Sequence, residues 1–503
     1  MTIDYLVERA AHKHPDKIAI IYENKKISYG KLNKRINQLS NALISLGLKK
    51  GDKVGVILYN CPEFIEIIHG ISRAGGILVS INYRLTPTEL EYILNQSDSR
   101  FLIYDKDLQS NIYKIRPNVN IEKYICTGNC EDNKYEGLLK NSSSTHPLIE
   151  IEDDAFSTLL YSSGTTGKPK GIILTQKNQI WSSLSIVITQ NPDPEDIIIT
   201  TSPIFHTAAL HRSIAAIFIG ATMVIMRQFR PIQFLELIEK EKVTIALLIP
   251  TMFTMIRQLS KFDKYDLSSV KQITVGAAAS SIELLKQVNE VFPNAEVWNG
   301  YGLSECPTAS ALHINRFPNK IDSVGKPHIN IEVKIVDTKG EDLPTNQIGE
   351  ILLRSPNVMK AYYKNQEATK KVYSGNWLHT GDLGKLDEDG FLYIADRQKD
   401  MIISGGENIY SKEVEDIIYA HKSVLETAVI GIKDELWGES VRAIVVPIPD
   451  SKPTEQEIID FCAERLAGYK KPRSIIFTDS LPKTASNKII KGELRKKFGG
   501  KID

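Results

Sequence analysis

Residues 161–171 read Tyr-Ser-Ser-Gly-Thr-Thr-Gly-Lys-Pro-Lys-Gly, a stretch built for contact with an anion. Ser162, Ser163, Thr165 and Thr166 carry hydroxyl donors, and Lys168 and Lys170 add mobile cations. Gly164 and Gly167 let the backbone come close to a ligand and bend into conformations other residues avoid. Successive bare amides of this kind suit a loop that wraps a polyphosphate. Apolar runs at 156–161 and 172–174 flank it, so the spacing predicts a loop between two buried strands. It is not a Walker A loop, which needs Gly-Lys followed at once by Ser or Thr; here Pro169 follows Lys168.

A second constellation is Trp298-Asn299-Gly300-Tyr301-Gly302-Leu303-Ser304-Glu305. Two glycines bracket an aromatic ring that could stack on a base. Glu305 offers the oxygen ligand that Mg²⁺ prefers when it also holds substrate phosphates. Trp298 reads as core packing. Four shorter strings follow: His379-Thr380-Gly381-Asp382, Asp396-Arg397, Ile403-Ser404-Gly405-Gly406-Glu407-Asn408-Ile409 and Pro482-Lys483-Thr484-Ala485-Ser486-Asn487-Lys488-Ile489. Alone, Gly-Asp is a turn and Asp-Arg a surface pair. Lys491, Arg495, Lys496 and Lys497 rival Lys488, although a basic tail is usually a solvated face.

In this order the strings closely resemble the signatures of the adenylate-forming superfamily, in its acyl- and aryl-CoA synthetase branch, and the resemblance spans essentially the whole chain. It implies an ATP-dependent carboxylic acid–CoA ligase that forms an acyl-adenylate and then an acyl-CoA. The implied catalytic residues are Lys488, Thr165, Glu305 and His206, with Glu305 and Thr165 also holding Mg²⁺. Ser162, Ser163, Gly164, Thr166, Gly167, Lys168 and Lys170 would surround the phosphates, together with Ser304, where the family usually has Thr. Tyr301, between Gly300 and Gly302, would stack on adenine, and Asn299 would bind its edge. Asp382 and Arg397 would hold the ribose, and Lys399 would be the pivot of a mobile C-terminal domain. Gly405 and Gly406 would line the pantetheine channel of CoA; a carrier-protein-loading enzyme usually has a more polar string there. Asn487 stands where the family usually has Gly, and Asn tolerates the same left-handed turn.

His206, after Pro203-Ile204-Phe205, resembles the family's aromatic position at the acyl channel, with a satisfied core histidine as the alternative. Gly276, Ala277 and Ala278 would wall the space behind the carboxylate, and small side chains there argue for a sizeable apolar or aryl group. A medium- or long-chain fatty acid is the expected substrate, with an aromatic acid, or a carrier-protein thiol as acceptor, as alternatives. His211 and Arg212 read as an exposed helix end, with a position inside the pocket, facing a second carboxylate or a hydroxyl of the substrate, as the alternative; Lys470, Lys471 and Arg473 read as candidate cations for the 3′-phosphate of CoA.

These residues need a scaffold. Strand and helix signals alternate through residues 18–104 and again through 197–297, which implies two stacked, mostly parallel α/β sheets. Short strands between Gly, Pro and Asp turns then mark a small β subdomain at about 323–397. The expected organisation is an AMP-binding domain at 1–397 and a smaller α+β lid at 400–503, hinged near Lys399.

The chain has 503 residues, 42% hydrophobic and 24% charged, with a net charge of +1. No global field points to nucleic acid or an anionic membrane. The longest apolar stretch, 214–226, is too short to span a bilayer, which takes about 20 residues. Five scattered cysteines read as reduced thiols, and a cytoplasmic enzyme is expected, with a homodimer left open.

Overall fold

Runs rich in Ile, Val and Leu form the buried strands, and helices with one apolar stripe cover them. The computed structural model describes residues 1–162, 169–259, 262–278, 280–484 and 489–500. Counted over these residues, the large N-terminal part carries two long sheets. In the first, the parallel strands Lys53–Ile57, Ile77–Ser80, Ser99–Asp105 and Lys123–Thr127 lead to the antiparallel pair Phe156–Ser162 and Lys170–Thr175. In the second, Ile197–Thr200, Thr222–Ile225, Ile245–Leu248, Gln272–Gly276 and Glu296–Leu303 run parallel, and Cys306–His313 turns back antiparallel to the last of them.

Two pairings cross the sequence order. The N-terminal hairpin Ile18–Tyr22/Lys25–Ser28 joins the second sheet through Thr222–Ile225. The short strand Ala361–Tyr362 adds to the edge of the first sheet beside Lys170–Thr175, which brings Tyr362 towards the phosphate-loop hairpin. A small antiparallel sheet of Glu332–Val336, Gly349–Arg354, Trp377–Leu386 and Leu392–Arg397 follows. The smaller C-terminal domain has its own sheet, centred on Val424–Asp434 and Gly438–Pro447, with the helices Ser411–Tyr419 and Glu455–Ala463. Among the described residues no helix is long and apolar enough to cross a membrane.

Helix Thr207–Ile219 departs from the sequence reading. His211 is fully buried and Arg212 half-buried, so neither marks an exposed helix end. The cause is the helix itself. It is apolar on nearly every face, as a helix surrounded by protein must be, and it packs against helix Gln176–Gln190 and the second sheet. Cys126 and Cys130 stand side by side across the turn through Gly128, at φ 123°, with their Cα atoms 6.2 Å apart. Cys61, Cys306 and Cys462 are free and buried.

Candidate active site

The phosphate-loop string hangs on the hairpin of the first sheet, where Ser162 lies opposite Lys170. Ser163, Gly164, Thr165, Thr166, Gly167 and Lys168 lie outside the described residues. Near the loop's far end, the Tyr92 hydroxyl donates to the Pro169 carbonyl over 3.2 Å, and the Lys170 ammonium stands 5.0 Å from the centre of the Tyr362 ring. Tyr362 also reaches the second constellation: its hydroxyl donates to Glu305 Oε1 over 2.8 Å. Glu305 is thereby tied to the phosphate-loop hairpin from the opposite sheet.

Glu305 and Ser304 occupy the turn between Glu296–Leu303 and Cys306–His313. Gly302 is required there, because a Cβ would stand 2.4 Å from the Pro307 carbonyl oxygen. Tyr301 is half-buried, and its hydroxyl donates to Asp382 Oδ2 over 2.6 Å. The other oxygen of Asp382 faces Arg397 Nε at 3.4 Å, since positions 382 and 397 are partners across neighbouring strands. Burial and the adjacent Asp382 carboxylate push the Tyr301 phenol well above its ordinary range, so it stays a donor. Asn299 is buried, and its amide nitrogen donates to the Ser323 carbonyl over 3.1 Å, which occupies part of its hydrogen-bonding capacity. Trp298 is a core residue stacked on His313 at 4.5 Å.

Gly276 and Gly300 are register partners, and a Cβ on Gly276 would meet the Gly300 carbonyl oxygen at 3.1 Å. Just beyond, Ala277 is held at φ 63°, a left-handed conformation that costs a non-glycine residue about 1–2 kcal/mol. Ala278 follows it, half-buried. His206 precedes helix Thr207–Ile219, half-buried, with its ring 4.3 Å from that of Phe205. Tyr301, Ala277, Ala278, His206, Thr207 and Ala208 all keep accessible surface although they belong to interior elements.

In the C-terminal domain Gly405 and Gly406 form the two-residue turn between Ile402–Ser404 and Glu407–Ile409. Their φ values of 59° and 86° are those of the hairpin turn that needs glycine twice. The exposed Trp437 ring lies beside Gly405, and the Arg473 guanidinium stands 5.5 Å from that ring. Lys470 is bound to Glu413 at 2.8 Å and is not a free cation. Lys399 is exposed, with partial desolvation holding its ammonium below the ordinary lysine pKa, in a segment whose Gln398 amide donates to the Gly381 carbonyl over 2.9 Å. Lys488 lies outside the described residues. Two of its rivals are occupied, Lys491 by Glu415 at 2.7 Å and Arg495 by Asp400 at 2.9 Å.

Tyr362 escaped the sequence reading because an aromatic residue in an irregular stretch carries no motif; only the added edge strand shows its contact with Glu305. Among the described residues there is no cluster of three or more His, Cys, Asp or Glu that could cage a metal. The Glu305 carboxylate accepts from Tyr362 through one oxygen and, among the described residues, makes no other side-chain hydrogen bond. A single carboxylate of that kind fits Mg²⁺, which is held by one or two carboxylates plus phosphate oxygens.

The family model "AMP-binding enzyme" matches residues 7–363, and "AMP-binding enzyme C-terminal domain" matches residues 413–488. A feruloyl-CoA synthase of an Amycolatopsis species is 33% identical over 493 residues, 98% of each chain. A long-chain-fatty-acid–CoA ligase of Mycobacterium tuberculosis is 33% identical over 480 residues, 95% of this chain and 94% of the relative. The crystal structure of an anthranilate CoA ligase bound to anthranoyl-AMP superposes with a TM-score of 0.93 at 29% identity, covering 99% of this chain and 97% of that one.

Proposed function

The chain belongs to the AMP-binding enzyme family, as an AMP-forming acid–CoA ligase, and from that premise we propose how its residues divide the work. The observation that carries the proposal is the contact chain Tyr301–Asp382–Arg397, which brings three separated motifs together at one place. A carboxylate cannot acylate a thiol directly, because its leaving group would be oxide. Attack of the acid on the α-phosphorus of ATP makes that oxygen part of AMP and expels pyrophosphate. The thiol of CoA then attacks the acyl carbon, and AMP departs.

Both reactants of the first step are anions, so their approach must be made favourable. Tyr301 stacks on the adenine, and Asp382 accepts from the ribose hydroxyls while Arg397 fixes its orientation. Ser163, Thr165 and Thr166 donate to the phosphates, and Lys488 holds the attacking carboxylate in line. Glu305, steadied by Tyr362, and Thr165 are the residues that would hold Mg²⁺, which when bound offsets charge on the departing pyrophosphate.

Lys488 and the Gly405–Gly406 turn both belong to the C-terminal domain and serve successive steps at one carbonyl. Rotation of that domain about Lys399 would present them in turn. The test separates the two half-reactions. Lys488→Ala should abolish pyrophosphate release yet leave thioester formation from a supplied acyl-adenylate, and Gly406→Leu should do the reverse. Equal impairment of both half-reactions by both variants would defeat the alternation. Formation of acyl-CoA from free CoA, with no protein acceptor present, distinguishes this enzyme from one that loads a carrier protein.

For the acid, the sequence alone favours a medium- or long-chain fatty acid, with an aromatic acid second. Relatives of similar identity carry names of both kinds.

A further inference from the structure

The chain on either side of residues 485–488 is tied together. Lys483 and Ile489 face each other as an antiparallel bridge, and the Ile490 amide donates to the Pro482 carbonyl over 2.9 Å. Lys488 directly precedes one of these paired residues, so whatever anchors the pairing sets the base from which its ammonium must reach the substrate. Both sides of that base carry an anchored lysine. Lys483 is bound to Glu426 on strand Val424–Asp434. Lys491, three residues beyond Lys488, is bound to Glu415 of helix Ser411–Tyr419 at 2.7 Å. Ile489 packs against the small apolar cluster that holds Leu481 and Leu494.

Lys491 opens helix Lys491–Phe498, a place where a cation is opposed by the helix dipole. It is nevertheless turned inward. Only 15% of its side-chain surface is accessible, and 14% of that of Glu415, whereas Lys496 and Lys497 on the same helix are exposed. Residues 491, 494 and 495 share one face of the helix, with Leu494 buried and Arg495 bound to Asp400 at 2.9 Å. An ion pair taken out of water contributes little net stability, because desolvation consumes most of the attraction. What it fixes is geometry, since moving either partner away strands the other charge.

The pair continues to the hinge. The Lys491 ammonium donates to the Ser411 hydroxyl, which donates in turn to Asp396 Oδ2 over 2.7 Å, and the Ser411 amide donates to the same oxygen. Asp396 and Ser411 are both buried. Asp396 lies on strand Leu392–Arg397, before Lys399, and its neighbour Arg397 faces Asp382 at 3.4 Å. Ser411 and Lys491 lie after Lys399, so the line Lys491–Ser411–Asp396 crosses the pivot proposed above. It does so in an arrangement that leaves Gly405 and Gly406 exposed, and it therefore belongs to the first of the two orientations.

We infer that Lys491 is a positioning residue for adenylation: anchored by Glu415 and joined through Ser411 to Asp396, it holds the base of the Lys488 loop in register with the strand that carries Arg397. The inference rests on the roles proposed above for Lys488 and Lys399, and it adds the residue that aims Lys488.

The test uses the full-length enzyme and follows the two half-reactions apart. Pyrophosphate release is measured with ATP, Mg²⁺ and decanoic, ferulic or anthranilic acid, and acyl-CoA formation with CoA and the synthetic adenylates of the same acids. Lys491→Met should slow pyrophosphate release about tenfold or more, while acyl-CoA formation from the adenylate stays within about twofold of the wild type. Lys491→Arg keeps the charge but not the shape and should lose less. Ser411→Ala removes one hydroxyl and leaves the ion pair; it should slow the same step by about threefold, and it decides the matter if Lys491→Met fails to fold. A contact that only stabilised the domain would lower the melting temperature and depress both half-reactions alike. That result, or pyrophosphate release unmoved in Lys491→Met and Ser411→Ala, would overturn the inference. Lys488→Ala, run beside them, keeps the two proposals apart: if it too leaves pyrophosphate release intact, or if the wild type activates none of the acids, the roles proposed above fail and this inference with them.

Discussion

At the scale of single residues, the nucleoside pocket depends on one hydroxyl. Tyr301 donates to a buried carboxylate that otherwise has Arg397 at 3.4 Å. Hydrogen bonds to charged groups contribute about 1.5–3 kcal/mol. Tyr301→Phe keeps the ring for stacking and removes that bond. KM for ATP should therefore rise about tenfold and the melting temperature should fall; an unchanged KM would detach Asp382 from nucleotide binding. Ala277 offers the opposite kind of test. Its φ of 63° is strained for alanine, so Ala277→Gly should stabilise the protein by roughly 1 kcal/mol in denaturant unfolding. A loss of stability would mean that the methyl group packs more favourably than the backbone strains.

At the scale of elements, two hairpin turns decide where chemistry can occur. The Gly405–Gly406 turn has positive φ at both positions, but the two glycines differ in surroundings. A Cβ on Gly406 would meet nothing within 4 Å, whereas one on Gly405 would stand 2.7 Å from the Trp437 ring. Gly406→Ala should thus cost about 1 kcal/mol of backbone strain alone. Gly405→Ala should cost more and displace Trp437, which tryptophan fluorescence of the two variants would report. Thioester formation should suffer more in the second variant than in the first. Helix Thr207–Ile219 teaches a related lesson. Its nearly continuous apolar surface was the available signal that His211 and Arg212 lie inside, and it outweighs the usual preference of charged residues for helix ends.

At the scale of the whole molecule, buried histidines set the acid limit of stability. Burial, helped by Arg73 beside His69 and Arg212 beside His328, lowers His69 to about 3 and His211 and His328 to about 4. A histidine with a depressed folded-state pKa is neutral in the fold and takes up a proton on unfolding. The associated stability is present above about 6.5, the unfolded value, and is lost as pH falls towards 4. At pH 5 the loss should reach roughly 2 kcal/mol per histidine. Melting temperatures measured from pH 7 to pH 5 should fall accordingly, and His328→Asn should flatten the slope. A profile unchanged by that substitution would place the acid sensitivity elsewhere.

Local spacing was enough to reveal the α/β alternation, the short strands of the small antiparallel sheet and the family motifs. Each of these is written in neighbouring residues: strand and helix periods, and turn glycines. Three features came only from packing between distant segments. The edge strand Ala361–Tyr362 carries a tyrosine to Glu305 across 57 positions of chain, the N-terminal hairpin enters the second sheet and not the first, and Arg212 is enclosed without a counter-charge. Periodicity tells which face of an element is apolar, but not which other element will cover it, and burial of a charge is decided by that second fact.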